Sequence, residues 1–347
     1  MKKTLAALIV SAFAASAANA AVVYDNEGTK VELNGSLRLI LEKADAKKYD
    51  AVGNSTKTAN SALRNAGSRF GITVKHNLDN DFYALGRLES RFDDTESRDQ
   101  FGSLYAKRAY VGLGSKATGD ITFGRQLTIA DDLTQANDYE YGFIPKGKYI
   151  PTSGTGVVRY DYKGIEGLQL SANYNFGQRN NEKGKLLKPG IKNAYAVGAL
   201  YTVGDLDARL AYGHTNFETG ASYAHRLDGV LASLGYKFGD FTLTGDFAYG
   251  HEKFDDEKTN KFYVAPGFAY QVLPASKVYG NYLYERVKGE NTKDKTHGFL
   301  LGADYKLHKQ VVLFVEGKYV TTKEYVNDTY DGKTKDKAIG VGMRVFF

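Results

Sequence analysis

Leu168-Gln169-Leu170-Ser171-Ala172-Asn173-Tyr174-Asn175-Phe176 puts an apolar residue at every even position and a polar one at every odd position, nine residues without a slip. Side chains along a β-strand point alternately to opposite faces, so this segment has one greasy face and one wet face. A helix would need a period of 3.6, which the pattern contradicts. The same two-sidedness returns further on. Phe241, Leu243, Phe247 and Tyr249 stand against Thr242, Thr244 and Asp246. Phe299, Leu301, Ala303, Tyr305 and Leu307 stand against Asp304 and Lys306, and Ile339, Val341, Met343, Val345 and Phe347 against Gly340, Gly342 and Arg344. Phe262, Val264, Pro266, Phe268 and Tyr270 also share a face. Pro266 cannot donate to a ladder, so it is expected at a bulge.

The connections alternate in length. Short ones lie at 78–81, 117–120, 164–167, 204–205, 239–240, 274–276 and 308–310; longer polar stretches lie at 44–60, 93–103, 126–155, 178–193, 218–226, 254–260, 289–295 and 324–336. Short turns on one rim, long loops on the other and about sixteen strands describe an all-β, 16-stranded antiparallel transmembrane barrel. Both chain ends then fall on the short-turn side. A soluble β-sandwich would alternate too, but its outward face would be charged and its inward face closely packed. Here the polar faces carry Arg, Glu, Lys, Asp and many Gly, and the Tyr and Phe gather near strand ends, as at membrane interfaces.

Composition agrees. Lys2 and Lys3, the apolar run Leu5 to Ala17 and the small-residue site Ala18-Asn19-Ala20 read as a cleaved signal peptide over 1–20, leaving 21–347 as one barrel domain. With 26 Tyr, 19 Phe and 38 Gly but no Cys, the chain has neither disulfide staples nor a thiolate for catalysis or metal. The net charge of +6 falls to +4 without Lys2 and Lys3, too mild to argue for nucleic acid. Six scattered histidines form no H-x-x-x-H, and neither G-x-S-x-G nor a P-loop occurs, so no metal, cofactor or catalytic site is expected. A barrel hydrolase would need a serine paired with His76 or His297, and none is compelling.

The early strands carry arginine on their polar faces: Arg38, Arg69, Arg87, Arg91 and Arg108, with Arg125 at the end of the fifth and Glu89 among them. The longest connection holds Asp131, Asp132, Asp138 and Glu140. Folded into the lumen, it would set carboxylates across from a basic wall, giving a transverse field that orients polar solutes. Left outside, its acids would merely be solvated; composition leaves both open.

The chain resembles the Gram-negative general porins. The resemblance rests on Ala21-Val22-Val23-Tyr24-Asp25-Asn26-Glu27-Gly28-Thr29-Lys30-Val31-Glu32-Leu33-Asn34-Gly35, Gly67-Ser68-Arg69-Phe70-Gly71, Lys107-Arg108-Ala109-Tyr110-Val111-Gly112-Leu113, Ile121-Thr122-Phe123-Gly124-Arg125-Gln126, Val157-Val158-Arg159-Tyr160-Asp161 and the terminal Val341-Gly342-Met343-Arg344-Val345-Phe346-Phe347. It spans the whole mature chain. It implies a homotrimer in the outer membrane, a long third loop folded into the lumen, and passive diffusion of ions and small hydrophilic solutes. By position, Arg69 and Arg108 match basic-wall residues, Glu89 a wall carboxylate, and Asp131 to Glu140 the acidic loop. Phe347 matches the terminal aromatic read by the barrel-assembly machinery. Ser36 stands where many members carry a wall lysine, and no arginine lies near Ser153, where some carry a third basic residue. Small outward residues (Ala84, Gly86, Ala109) suit a protein-packed trimer wall. Loop charges such as Asp255-Asp256-Glu257-Lys258 are solvated faces that could reach lipopolysaccharide through divalent ions. A solute-specific channel is the alternative; it would want an aromatic track for sugars or a lysine ladder for phosphate, and neither is evident.

Overall fold

The computed structural model describes residues 20–92, 101–219 and 224–347. All but the last residue of the expected signal peptide lie outside that range. Among the described residues there are nineteen strand segments, the first being β1 (Ala21–Asn26), β2 (Thr29–Asp50), β3 (Ser55–Asn65), β4 (Arg69–Asn77), β5 (Phe82–Phe92), β6 (Leu104–Ser115) and β7 (Gly119–Leu127). After a long connection come β8 (Ser153–Ile165), β9 (Leu168–Asn175), β10 (Gln178–Asn180), β11 (Leu186–Val203), β12 (Leu206–Phe217) and β13 (His225–Phe238). The last are β14 (Phe241–Phe254), β15 (Glu257–Leu273), β16 (Ser276–Lys288), β17 (Thr292–His308), β18 (Val311–Val326) and β19 (Thr329–Phe346).

Every pairing is antiparallel, and β19 pairs with β2, so the sheet closes on itself. Three pairs of segments run end to end against a shared neighbour: β3 and β4 along β2, β9 and β10 along β11, β19 and β1 along β2. Nineteen segments therefore make sixteen wall strands. At one seam Gly35 N–H donates to the Phe347 carbonyl (2.8 Å) and Phe347 N–H to the Gly35 carbonyl (3.1 Å). Closure leaves no free edge, which is how a sheet can sit in hydrocarbon without orphaned backbone groups.

The alternation maps onto two surfaces. Leu170, Tyr174 and Phe176 are exposed on the outside, as are Leu301, Ile339 and Val341, at 60%, 58% and 59%. In a soluble molecule such a belt would be an aggregation site; around a barrel it is the lipid face. The residues between them turn inward, where Ser171, Asn173, Asp246, Asp304 and Glu316 are buried.

Two expectations are corrected. Pro266 is not a bulge: its register with β14 is continuous (Gly245↔Pro266), and the ladder to β16 passes over Ala265 and Pro266 with no shift between Val264↔Tyr284 and Gly267↔Asn281. One missing ladder bond accommodates the ring. The polar stretches 44–60, 254–260, 289–295 and 324–336 are mostly strand, with turns reduced to 51–54, 255–256, 289–291 and 327–328. Asn327 and Asp328 both take positive φ (49° and 60°), the geometry of a tight two-residue hairpin.

Residues 128–152 are the exception to this economy. They contain two short 3-10 turns, Ile129–Leu133 and Lys146–Lys148. Their apolar side chains pack on inward-facing wall residues: Ile129, Leu133, Tyr149 and Ile150 against Ala196, Ala211, Leu231 and Ala248, and Tyr141 near Ile40 and Phe314. The wall is small where the segment approaches it. A Cβ on Gly229 would stand 2.3 Å from the Tyr149 carbonyl oxygen, and one on Gly213 2.6 Å from Ile150.

Candidate functional site

Glu89, on the inward face of β5, is 3% exposed and lies among four guanidinium groups. Arg87 Nη2 donates to one carboxylate oxygen (2.9 Å) and Arg91 Nε to the other (2.8 Å). Arg69 and Arg108 are 3.9 and 3.7 Å away. Cross-strand register brings them together: Arg69 opposes Arg91 between β4 and β5, and Glu89 opposes Arg108 between β5 and β6. Arg38, on β2, feels the charges of Arg69, Arg91 and Glu89, and its Nε donates to Ser36 Oγ (2.7 Å). The side chains of Arg69, Arg87, Arg91 and Arg108 keep 16–21% exposure while Glu89 is beneath them, so the surface offered to a solute is cationic. Arg125 stands apart. Its Nη1 donates to the carbonyls of Ala106 (3.0 Å) and Glu182 (3.1 Å).

The connection's acids are mostly occupied. Asp131 pairs with Lys146 (3.2 Å), Asp132 with Arg159 (2.7 Å) and Glu140 with Arg64 (2.6 Å). Burial pushes the Asp132 carboxyl up from its ordinary range against the opposing pull of Arg159. Asp138 has no ion pair among the described residues, and burial, together with the nearby Glu316 charge, pushes its carboxyl up to about 6. Of the four acids, three are held by cations that sequence reasoning did not single out.

Other wall residues it did not single out anchor the same segment. Glu316, on β18 and fully buried, accepts the backbone N–H groups of Tyr139 (2.7 Å), Glu140 (2.9 Å) and Tyr141 (2.6 Å), and the Tyr279 hydroxyl (2.7 Å). Asp246, on β14, accepts from the Thr134 hydroxyl (2.6 Å) and the N–H groups of Gln135 (3.0 Å) and Ala136 (3.2 Å). Arg209 donates to the carbonyls of Asp132 and Thr134, and Lys148 pairs with Glu285. Tyr141 donates to Glu42 (2.9 Å). These bonds end on β2, β3, β8, β12, β14, β16 and β18. The arc β4–β6, where the Glu89 cluster lies, receives none of them.

A family model described as Gram-negative porin matches residues 4–325. A relative from Pasteurella multocida strain Pm70, "Major outer membrane protein", is 33% identical over 379 residues, covering all of both chains. Among solved structures, the Vibrio cholerae outer membrane protein OmpT in its trimer form superposes with a TM-score of 0.69 at 18% identity, over 92% of this chain and 100% of that one. The anion-selective porin of Comamonas acidovorans gives 0.65 at 19%, over 92% and 100%. At those identities the structures share the fold.

Proposed function

Because the chain belongs to the Gram-negative porin family and so forms a channel through the outer membrane, we propose that it is a general diffusion pore whose constriction lies between the bare arginine arc of β4–β6 and residues 128–152 folded into the lumen. The observation that carries this reading is the division of the inner wall. Among the described residues, one segment is bonded to wall strands on either side of the arc β4–β6, and that arc, which receives none of those bonds, bears Arg69, Arg87, Arg91 and Arg108 over Glu89. Four positive groups against one negative give that arc a net positive face, while three of the four segment acids are paired. Fixed charge at a narrow water-filled passage selects ions by sign more than by identity. The constriction therefore favours anions.

Homotrimer assembly belongs to this reading. Ala84, Gly86 and Ala109 share the outward face of β5 and β6, where close protein contact suits them better than acyl chains. Phe347, at the closing seam, is the residue that the assembly machinery would meet.

The test is reversal potential in planar bilayers under a potassium chloride gradient. A potential of the sign for anion preference, with no saturable block by any single sugar or phosphate at micromolar levels, supports the reading. Cation preference overturns the arginine arc as the selecting surface, and micromolar block by one solute replaces general diffusion by a solute-specific channel.

A further inference from the structure

On the long-loop side of residues 128–152 the lumen widens into a chamber of about 620 Å³, within the range of about 300–1,000 Å³ usual for small-molecule sites. Residues 147–152 lie along one side of it, the hairpin of β10 and β11 along another, and the long-loop ends of β12 to β16 complete the wall. Part of the lining is apolar. Leu231 and Ala248, on the same inner wall, are covered by the folded segment, whereas Ile191, Phe217 and Val287 face the chamber. Cross-strand register gathers the patch: Ile191 opposes Phe217, and Val287 opposes Lys261. Apolar side chains in a water-filled passage gain free energy when an apolar solute covers them.

Charges of both signs border this patch. Glu252 accepts from Lys261 (3.0 Å) and lies 2.6 Å from His225 Nε2, and the His225 ring is 4.2 Å from that of Phe217. Lys148 donates to Glu285 (2.9 Å). Lys107 pairs with Glu182, which also accepts from the Ser153 hydroxyl (2.5 Å). Each pair keeps spare capacity, because an ammonium has three donors and a carboxylate about four acceptor positions. Lys148, 59% exposed, is the most open of these cations, and Glu252, at 27%, the most open of these acids. The arc over Glu89 is different, since its acid lies beneath the guanidinium groups and a solute there meets one sign only.

We infer that the chamber binds zwitterions with apolar side chains, namely short hydrophobic peptides. The peptide carboxylate meets Lys148, its ammonium meets Glu252, and its side chains cover Ile191, Phe217 and Val287. The inference rests on the porin reading, which makes the chamber part of the permeation path. A sugar lacks the charges, a phosphate lacks the ammonium, and a small ion lacks the apolar bulk; a free peptide brings all three. Binding is in the millimolar range, because the apolar surface is one-sided and both charges already have partners. A bound peptide is therefore released again, and diffusion of other solutes continues.

The experiment is single-channel recording of the native protein in planar bilayers with leucyl-leucine in the bath. Leucyl-leucine should interrupt the current with a millimolar Kd. Glycyl-glycine has the same charges without the bulk, and N-acetyl-leucyl-leucine amide has the bulk without the charges; each should bind about tenfold more weakly. Phe217→Ser and Glu252→Gln should each weaken leucyl-leucine by about tenfold as well. Equal block by all three solutes, or no block by leucyl-leucine, overturns the inference on the native protein alone, whether or not the variants fold. Full-strength block in both variants overturns it too, since the peptide would then bind elsewhere. A native protein that conducts and is not blocked leaves the porin reading standing, whereas one that does not conduct removes that reading itself.

Discussion

Replacing Glu89 by glutamine keeps the shape of the side chain and removes the one negative charge under four guanidinium groups. The arc becomes more cationic, so the anion-to-cation permeability ratio should rise, on the order of twofold, with conductance little changed because the bore is the same. Reversal potential measures it; a ratio that stays put would mean that solutes do not pass the arc. At this scale the sequence was half legible. Strand alternation alone assigns Arg69, Arg87, Glu89, Arg91 and Arg108 to a water-facing side, because facing depends only on local parity. The partners of the acids were not legible. Arg159 meets Asp132, 27 residues earlier, and Tyr139 N–H meets Glu316, 177 residues away. Such contacts depend on where a long connection comes to rest, which no local period encodes. Arg125 shares its parity with Ile121 and Phe123, which face outward, so local alternation does not place it with the others, and its guanidinium reaches the carbonyls of Ala106 and Glu182.

At the scale of elements, the anchoring of residues 128–152 is charge-assisted. Hydrogen bonds to a charged group contribute about 1.5–3 kcal/mol each, and Glu316 accepts three backbone N–H groups and one hydroxyl. Glu316→Ala strands those donors in a buried site. The segment should leave the wall for part of the time, giving channels of larger mean conductance and greater open-state noise. The fold itself should survive, because the wall ladders do not involve this side chain. Unchanged current traces would show that the segment does not bound the passage. The small inward residues Gly213 and Gly229 were visible in the sequence only as glycines on a polar face; their role in admitting Tyr149 and Ile150 needed the other partner. The stretches 44–60 and 324–336 were mistaken for loops because both faces of a strand are wet beyond the bilayer. Period two in hydropathy vanishes there although the backbone ladder continues from Lys43↔Ile339 to Asp50↔Gly332.

For the whole molecule, barrel class and strand number were readable because lipid on one side and water on the other imposes the same alternation on every strand. Ala84, Gly86 and Ala109 mark the outward face proposed for association between copies. Ala109→Phe with Gly86→Phe should block close approach of protomers and leave folded monomers that still shift in mobility on heating. Trimers of undiminished stability in native mass spectrometry would place the interface elsewhere on the barrel.

Glu89 lies behind the guanidinium groups it pairs with and is almost wholly out of water. It is a counter-ion that never departs. An anion crossing in front of the arc meets groups that are already fixed, and no salt bridge has to open to let it by. Traffic through such a passage asks only the hydration shell to rearrange, and the wall returns to the same state after every ion.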